Sequence, residues 1–465
     1  MGFDAASAPL RLRERVRDTQ YSWLVAALFW VIIISIIPPD LADPDPVGQD
    51  WGAPSAVGRL VKIAMLGVSA FVIMRRRSMA SQMLRSVNGG LLLLIAMVVL
   101  SVFWSITPSK TASRSVALVT MVGACFAFAL ASWHPRRFQA VVRPLLTTFL
   151  LLSLVLGIID EKLVLERGNT ISLQGAWHGL AVQKNEFGQI ASFGALLWLH
   201  PWLAKEKRFL SVLPGLAIAI SCLALSRSST SYFALVLCTT VMAIVLRMRR
   251  RSISVRKAFV VAIAVFVTLY GLVAMHLVPG LDALLGPIAA LTGKDGTFSA
   301  RTMIWQLIEQ HIHDAPILGT GYAAYWTGPH PDSPSYIFLA LMYFYPTESH
   351  NGYLEVVNDL GLVGLVVLLA YIGIYFRQVF RLMRTDVSQA ALLLAILFHQ
   401  LIINLSESLW LTTGSSFAVL TLATMCLGRA LIDQRHRRMA ERRPVVDDFP
   451  DVTLAPAQLP GPSGS

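Results

Sequence analysis

The side chains of this chain that are best suited to chemistry are one histidine and a few cations, which stand close to long apolar segments. His350 lies in the run Glu348-Ser349-His350-Asn351-Gly352, directly before one such segment. An imidazole titrates near pH 6.5, so its neutral form is available as a general base. Hydrogen bonding at a helix end is an equally good interpretation of this residue.

Several cations stand at or near the ends of apolar segments: Arg59, Lys62, Arg114 and Arg227. Charges at membrane depth are costly and are commonly paired or functional. Arginine forks two donors onto phosphate oxygens, so cations that converge at one membrane surface would suit a lipid-linked diphosphate. Extension of each side chain to lipid headgroups is the alternative interpretation.

The elements that must position these side chains are membrane spans. Apolar residues make up 55% of the 465, charged residues only 14%, and the mean hydropathy is +0.61. A span needs about 20 mostly apolar residues. Twelve segments qualify: 21–37, 57–74, 89–104, 113–132, 144–159, 187–203, 209–225, 229–246, 258–278, 353–376, 388–405 and 411–428. The sequence therefore predicts an all-α polytopic membrane protein with about 12 transmembrane helices.

The distribution of Lys and Arg predicts the orientation, because these residues accumulate in cytoplasmic connections. With the N-terminus inside, 29 of the 39 Lys and Arg fall in seven cytoplasmic segments, which carry a net charge of +19, and the rest of the chain carries −7. The net charge of +12 thus reflects an orientation in a membrane, with both termini cytoplasmic, and not a nucleic-acid partner.

This topology divides the chain into five regions: a cytoplasmic N-terminus (1–20), spans one to nine (21–278), a large external, periplasmic loop (279–350), spans ten to twelve (351–428) and a cytoplasmic tail (429–465) for which we expect disorder.

The external loop of 72 residues, 279–350, is long enough to be functional. Apolar residues at three- and four-residue steps after Ser299 predict a short amphipathic helix that ends before Pro316 and lies on the membrane or on the outer mouth of the bundle. Residues 335–345 are too short to span, so we expect them to dip into or lie on the membrane.

Aromatic residues are concentrated in the same loop, with eight among the 24 residues 322–345. Sugars stack on such rings, which makes Trp305, Tyr322 and Trp326 candidate sugar contacts. Trp and Tyr also form belts at membrane interfaces, and that alternative stays open.

Other chemistries are less well supported. Asp43-Pro44-Asp45 spells a D-x-D motif, but it lies in an external, Pro-rich segment typical of a solvated turn. His311 and His313 lack a third zinc ligand, and no Walker A motif for ATP is present. All four cysteines lie in apolar runs, so no disulfide framework is predicted. We expect neither a metal nor a cofactor.

Several short motifs together resemble the O-antigen ligase and polymerase family of bacterial membrane glycosyltransferases. They are His350-Asn351-Gly352-Tyr353-Leu354-Glu355, Gly361-Leu362-Val363-Gly364-Leu365, Ser226-Arg227-Ser228, Arg301 with Trp305, and Pro316-Ile317-Leu318-Gly319-Thr320-Gly321. The motifs Trp104-Ser105-Ile106-Thr107-Pro108, with Thr111 and Arg114, and Lys184-Asn185-Glu186-Phe187-Gly188 are most similar to exopolysaccharide polymerases of the ExoQ type. The resemblance runs from about residue 90 to 430.

The resemblance implies a metal-independent transferase of the GT-C type that works outside the cytoplasmic membrane, with a glycan on undecaprenyl diphosphate as donor and a second glycan as acceptor. By this similarity His350 is the general base, and Arg227 and Arg301 hold the diphosphate. Arg114 and Lys184 stand in matching motifs, and we add them as further candidate diphosphate ligands. The implied reaction is polymerisation of oligosaccharide repeats into exopolysaccharide or O-antigen, with chain-length regulators and export proteins as possible partners.

Two alternatives remain. An O-antigen ligase would use the same donor and transfer the glycan to lipid A core. A secondary transporter or flippase of lipid-linked glycan is compatible with twelve spans, but such proteins commonly show two related halves, which this sequence does not.

Overall fold

The architecture was obtained as a computed structural model, which describes residues 56–131, 137–166, 174–274, 299–343 and 345–441. Within these ranges the chain is helical and has no strand; Leu165 and Trp177 form a single antiparallel bridge. The predicted first span 21–37, the motif at 43–45 and most of the tail lie outside the described residues.

The described α-helices, in chain order, are α1 Ala56–Arg75, α2 Arg77–Leu84, α3 Gly89–Leu100, α4 Pro108–Ala131, α5 Arg137–Ile159, α6 Lys184–Leu203, α7 Phe209–Ser226, α8 Ser229–Arg247, α9 Ile253–Ala274, α10 Ser299–Asp314, α11 Tyr336–Met342, α12 Gly352–Leu382, α13 Val387–Ile403 and α14 Ser415–Glu441.

Six segments in the described residues are long and apolar enough to cross a membrane: Pro108–Ala131, Phe138–Ile159, Phe209–Ser226, Ser229–Arg250, Gly352–Leu382 and Ser415–His436. A bent pair, Arg77–Leu84 with Gly89–Phe103, makes a possible seventh with a 97° break. The described part of the chain is therefore that of a polytopic membrane protein built of helices. The count of twelve spans stays a prediction, although helices also occupy 56–75, 184–203, 253–274 and 387–403.

The segment 75–88, expected to be a cytoplasmic connection, contains helix α2. Asn88 then caps α3, because its Oδ1 accepts the backbone N–H of Gly90 at 3.0 Å, while its Nδ2 donates to the carbonyl of Tyr371 at 2.9 Å. A polar residue that satisfies two partners allows the chain to turn sharply between two helices without leaving buried backbone groups unpaired.

The centre of the bundle is formed by α13 and α14, which are buried on most of their faces. The surrounding helices expose apolar side chains at three- and four-residue steps, for example Val363, Val366 and Leu369 on α12. A helix with an apolar outer face is stable where that face meets lipid and not water.

Helix α12 is broken at Gly361, which has φ 66° and ψ −169°. A break in a membrane helix frees backbone groups that must find partners inside the protein. The turn at 316–321 supplies them through four hydrogen bonds: Thr320 N to Asn358 O (3.1 Å), Gly321 N to Asp359 O (3.0 Å), Leu362 N to Pro316 O (2.9 Å) and Val363 N to Ile317 O (3.2 Å). The turn at 316–321 is thereby fixed to the bundle.

Helix α10 begins at Ser299 and ends at Asp314, two residues before Pro316, as its periodicity predicts. Its apolar face packs on protein: Ile304 is 2% and Ile308 0% exposed. Both belong to a small core of their own, whose other buried members are Tyr325, Trp326 and Phe338. The helix therefore packs on the folded residues 325–338 that follow it.

We expect Gly361→Ala to destabilise the protein by about 2 kcal/mol or more. The backbone region that Gly361 occupies is open almost only to glycine, and an added Cβ would lie 2.2 Å from the Ile317 carbonyl oxygen. Gly373→Ala in the same helix is the control, since its Cβ would meet nothing within 4 Å. Thermal unfolding in detergent measures both; equal melting temperatures would contradict the structural role of the break.

Candidate active site

The site is built on the tight connection that leads into α12. His350 has φ 54°, in the left-handed region that residues other than glycine rarely adopt. Asn351 caps α12 by accepting backbone N–H groups from its first turn, and Ser349 Oγ lies 2.8 Å from Ser408 Oγ. Residues on both sides of His350 are therefore anchored, which fixes the direction of the imidazole.

The second component is the connection 404–414 between α13 and α14. The N–H of Gly352 donates to the carbonyl of Asn404 at 2.9 Å, and the N–H of Asn351 donates to Ser408 Oγ at 3.2 Å. A Cβ at position 352 would lie 1.9 Å from Asn404 Oδ1, so only glycine allows this approach. The two connections form one packed unit.

Glu407 lies at the centre of this unit, with only 3% of its side chain exposed. Its Oε1 accepts hydrogen bonds from Asn185 Nδ2 at 2.7 Å and from Arg301 Nη2 at 3.2 Å. Its Oε2 lies 3.5 Å from His350 Nδ1. One buried carboxylate thus contacts residues that are distant in sequence and belong to α6, α10 and the connection directly before α12.

A second carboxylate faces the same ring nitrogen, because Glu348 Oε1 lies 3.1 Å from His350 Nδ1. One ligand atom from each of Glu348, His350 and Glu407 lies within 4.8 Å of the others, so these three residues are able to hold a metal ion. The Arg301 guanidinium already supplies a positive charge to Glu407 at this position. Because Nδ1 is engaged by the two carboxylates, Nε2 is the ring nitrogen left to exchange a proton with a bound group.

The carboxylates also set the protonation of His350. Burial disfavours the imidazolium, but hydrogen bonds and charge attraction from Glu348 and Glu407 outweigh it and raise the pKa of His350 to about 9. Burial raises the pKa of Glu348, and the hydrogen bond to His350 offsets only part of that rise. Burial would also raise the pKa of Glu407, but His350 and Arg301 together lower it. Near neutral pH the site therefore contains an imidazolium beside an ionised Glu407.

Glu348, His350 and Glu407 form a trio of contacting side chains. Of the two arginines to which the family resemblance points, Arg301 contacts this trio through Glu407, and Arg227 lies farther out. Arg227 ends α7 with φ 50° and its Nη1 donates to the carbonyl of Gln174 at 2.7 Å. Three residues later, Thr230 Oγ1 lies 3.1 Å from Ser406 Oγ, next to Glu407. Arg227 is thus at the same end of the bundle as the trio.

Lys184 begins α6, and its backbone N–H donates to Glu166 Oε2 at 2.6 Å. The next residue, Asn185, reaches Glu407. The motif Lys184-Asn185-Glu186 therefore does contribute to the site, and Asn185 is the member of that motif with a hydrogen bond to the central carboxylate.

Arg114, a predicted diphosphate ligand, contacts protein backbone in this structure. Its guanidinium donates to the carbonyls of Ala323 and Trp326, the latter at 3.0 Å. These bonds fix residues 323–326 against α4. The structure brings Arg114 to the backbone of that segment and not into hydrogen-bond contact with Glu348, His350 or Glu407.

The three candidate sugar-binding aromatics are held by protein. Tyr322 is 6% exposed and donates its hydroxyl to the carbonyl of Leu411 at 2.5 Å. Trp326 is 8% exposed and donates Nε1 to Glu355 Oε1 at 2.7 Å. Trp305 is partly buried and donates Nε1 to the carbonyl of Ser349, next to His350. Trp305 is therefore the one of the three that lies beside the trio.

Sequence reasoning did not assign roles to Glu407, Glu348 and Asn185. Glu348 stands two residues before His350, and Asn185 stands in a quoted motif. The signal for Glu407 is weaker: it is an isolated acid in the short connection between the apolar segments 388–405 and 411–428. Only the folded chain brings this connection to His350.

Comparison with known proteins agrees with the motifs. A family model described as O-antigen ligase matches residues 214–369, which include Arg227, Arg301 and His350. Asn185 and Glu407 lie outside the matched segment.

The chain is also similar to the exopolysaccharide production protein ExoQ of Rhizobium meliloti (strain 1021). The two are 28% identical over 301 residues, which cover 62% of this chain and 64% of the relative. The similarity thus spans slightly less than two thirds of the relative's length. Together the two comparisons confirm the resemblance that the motifs indicate.

The raised pKa of His350 makes folding stability depend on pH. The folded value is about 9 and the unfolded value about 6.5, so stabilisation from this residue is complete below about pH 6.5 and is lost as the pH rises through 9. We expect the melting temperature in detergent to fall less over this range in His350→Gln than in the unchanged protein. His313→Gln, at an exposed position of α10, should retain the full fall. An identical pH dependence in all three proteins would contradict the assignment.

Proposed function

Because this chain is of the O-antigen ligase and ExoQ type, we propose that it polymerises oligosaccharide repeats carried on undecaprenyl diphosphate into exopolysaccharide or O-antigen. The reaction takes place at the external face of the cytoplasmic membrane. The observation that carries the proposal is the contact of His350 with Glu348 and Glu407, together with the Arg301 guanidinium on the same carboxylate.

In this proposal His350 takes the proton of the acceptor hydroxyl through Nε2. Both carboxylates face Nδ1, so they hold the ring in one orientation and stabilise the imidazolium that forms. The acceptor oxygen forms a bond to the anomeric carbon of the donor sugar as the bond from that carbon to the diphosphate oxygen breaks. The proton moves to His350, and the electron pair leaves with the diphosphate.

The departing diphosphate gains negative charge, which preplaced cations stabilise. Arg301 is held in position by Glu407, and Arg227 is placed at the end of α7 by its left-handed backbone and the Gln174 carbonyl. These two arginines are the proposed ligands of the diphosphate. Because Arg301 supplies positive charge at the trio, we propose that the reaction does not need a metal ion.

A ligase is the second candidate, favoured by the description of the family model that matches residues 214–369. The donor, the base and the leaving-group arginines would be the same, and the acceptor would be a lipid A core in place of another lipid-linked glycan. Loss of a ligase removes only the attachment of polymer, whereas loss of a polymerase removes the polymer itself.

We expect His350→Ala to abolish long polymer while the protein remains in the membrane, because the acceptor hydroxyl loses its base. General acid–base catalysis contributes roughly 100- to 10,000-fold to a rate. Polymer length on gels and protein level in membranes measure the two effects. His313→Ala is the control, since that exposed histidine of α10 should leave the polymer unchanged. Polymer of normal length from His350→Ala would overturn the catalytic assignment.

Treatment with a chelator tests whether the reaction needs a metal ion. One ligand atom from each member of the trio lies close enough to the others to hold an ion. We therefore expect polymerisation by purified protein to persist after treatment with a chelator. Loss of activity that is restored by a divalent cation would contradict metal independence without contradicting glycan transfer.

The pH dependence of the rate follows from the same geometry. A base must be neutral to accept a proton, so the rate should rise with pH up to about 9, where His350 loses its own proton. Glu348→Gln removes a carboxylate that raises this pKa, so the rising limb should move to lower pH. Glu161→Gln, at an exposed position, is the control and should not move it. A limb that stays in place in Glu348→Gln would show that His350 is not the titrating group.

A further inference from the structure

An apolar groove of about 310 Å³ lies between α9 and α12, away from the candidate active site. Its lining residues are Val261, Ala264, Val265, Thr268, Leu269, Phe376 and Phe380. On α9 these residues recur at three- and four-residue steps, so they form one continuous stripe along the helix. The groove therefore runs along the helices, as an acyl chain in a bilayer does.

Several cations lie at one end of this groove. Lys257 Nζ lies 5.7 Å from the centre of the Phe380 ring, which itself lines the groove. Arg377, Arg381 and Arg384 are exposed on α12 and just beyond it, at spacings of four and three residues that place them on one stripe of the helix, next to Phe380. The apolar groove thus leads directly to a positively charged surface.

A buried guanidinium lies between the two helices at this end. Arg256 is 7% exposed and its Nη1 donates to the carbonyl of Met383, beyond the last turn of α12, at 3.3 Å. Its Nε is buried without a hydrogen-bond partner among the described residues. A buried donor that lacks a partner costs free energy unless a ligand satisfies it.

Within the described ranges, none of these cations forms an ion pair with a carboxylate. Arg301, at the active-site end, differs in this respect, since it pairs with Glu407. The cationic end also lies at the opposite end of α12 from His350. About 30 residues of helix separate them, on the order of 40 Å if the helix were straight. A diphosphate that reacts at His350 is therefore not the anion that fits here.

We propose that this groove binds an anionic phospholipid of the bilayer, with its phosphate at Lys257, Arg256 and Arg381 and an acyl chain along Val261, Val265 and Leu269. Basic pockets between membrane helices bind anionic headgroups in this way. The lipid joins α9 to α12 at the end remote from the active site. The site is independent of the glycan-transfer proposal.

Lipid binding to the purified, delipidated full chain in detergent micelles tests this inference. Dioleoyl-phosphatidylglycerol and dioleoyl-phosphatidylcholine, which have the same acyl chains, are titrated separately, and native mass spectrometry counts the bound lipids. We expect phosphatidylglycerol to bind roughly tenfold more tightly, with a preference that is lost in the double variant Lys257→Ala/Arg381→Ala. Equal binding of the two lipids to the unchanged protein would overturn the proposal.

Two further variants separate this site from general charge attraction. Arg77→Ala/Arg85→Ala removes two exposed cations from the region of α2 and should keep the preference. Ala264→Trp fills the groove without changing charge and should reduce phosphatidylglycerol binding. If the Arg77 and Arg85 variant lost the preference as completely as the Lys257 and Arg381 variant, the attraction would be a property of the whole surface and the site would be refuted. Unchanged binding in Ala264→Trp would refute the groove as the place of the acyl chain.

Discussion

A carboxylate that is almost fully buried at the end of a helical bundle is tolerated only where donors and positive charge surround it. Glu407 meets that requirement with Asn185, Arg301 and His350, each from a different part of the chain. Asn185 lies on α6, Arg301 lies on α10, and His350 lies directly before α12. The same interactions that make Glu407 stable therefore bring an imidazole and a guanidinium to one place, and the rest of the structure holds these elements together.

The position of Arg301 depends on how residues 299–343 are attached to the bundle. Helix α10 packs its apolar face on the rest of that segment, and the turn at 316–321 pairs with the backbone that the break at Gly361 leaves free. Arg114 adds bonds to two carbonyls of the same segment. Ordering a long connection costs conformational entropy, and these contacts, made at several points, offset that cost. This rigidity is what a site needs if its cations are to be placed before charge develops.

The cations of this chain divide into groups by the partners that the fold gives them. Arg301 pairs with a buried acid, Arg114 donates to backbone carbonyls, and Lys257 lies over an aromatic ring beside an apolar groove. The fold determines each partner. Glu407, the Trp326 carbonyl and the Phe380 ring each lie more than 100 residues along the chain from the cation that they contact.

The sequence by itself determined the helical, membrane-spanning class, the helix from Ser299 to Asp314 and the resemblance to O-antigen ligases, because apolar periodicity and short motifs are local properties. It also singled out His350, Arg227 and Arg301. Only the tertiary structure decided that Glu407 and Asn185 join His350, that Arg114 serves the fold, and that Tyr322 and Trp326 are buried. The physical reason is that a buried charge selects its partners through space, and the packing of distant helices, not the spacing of residues along the chain, sets which groups are within reach.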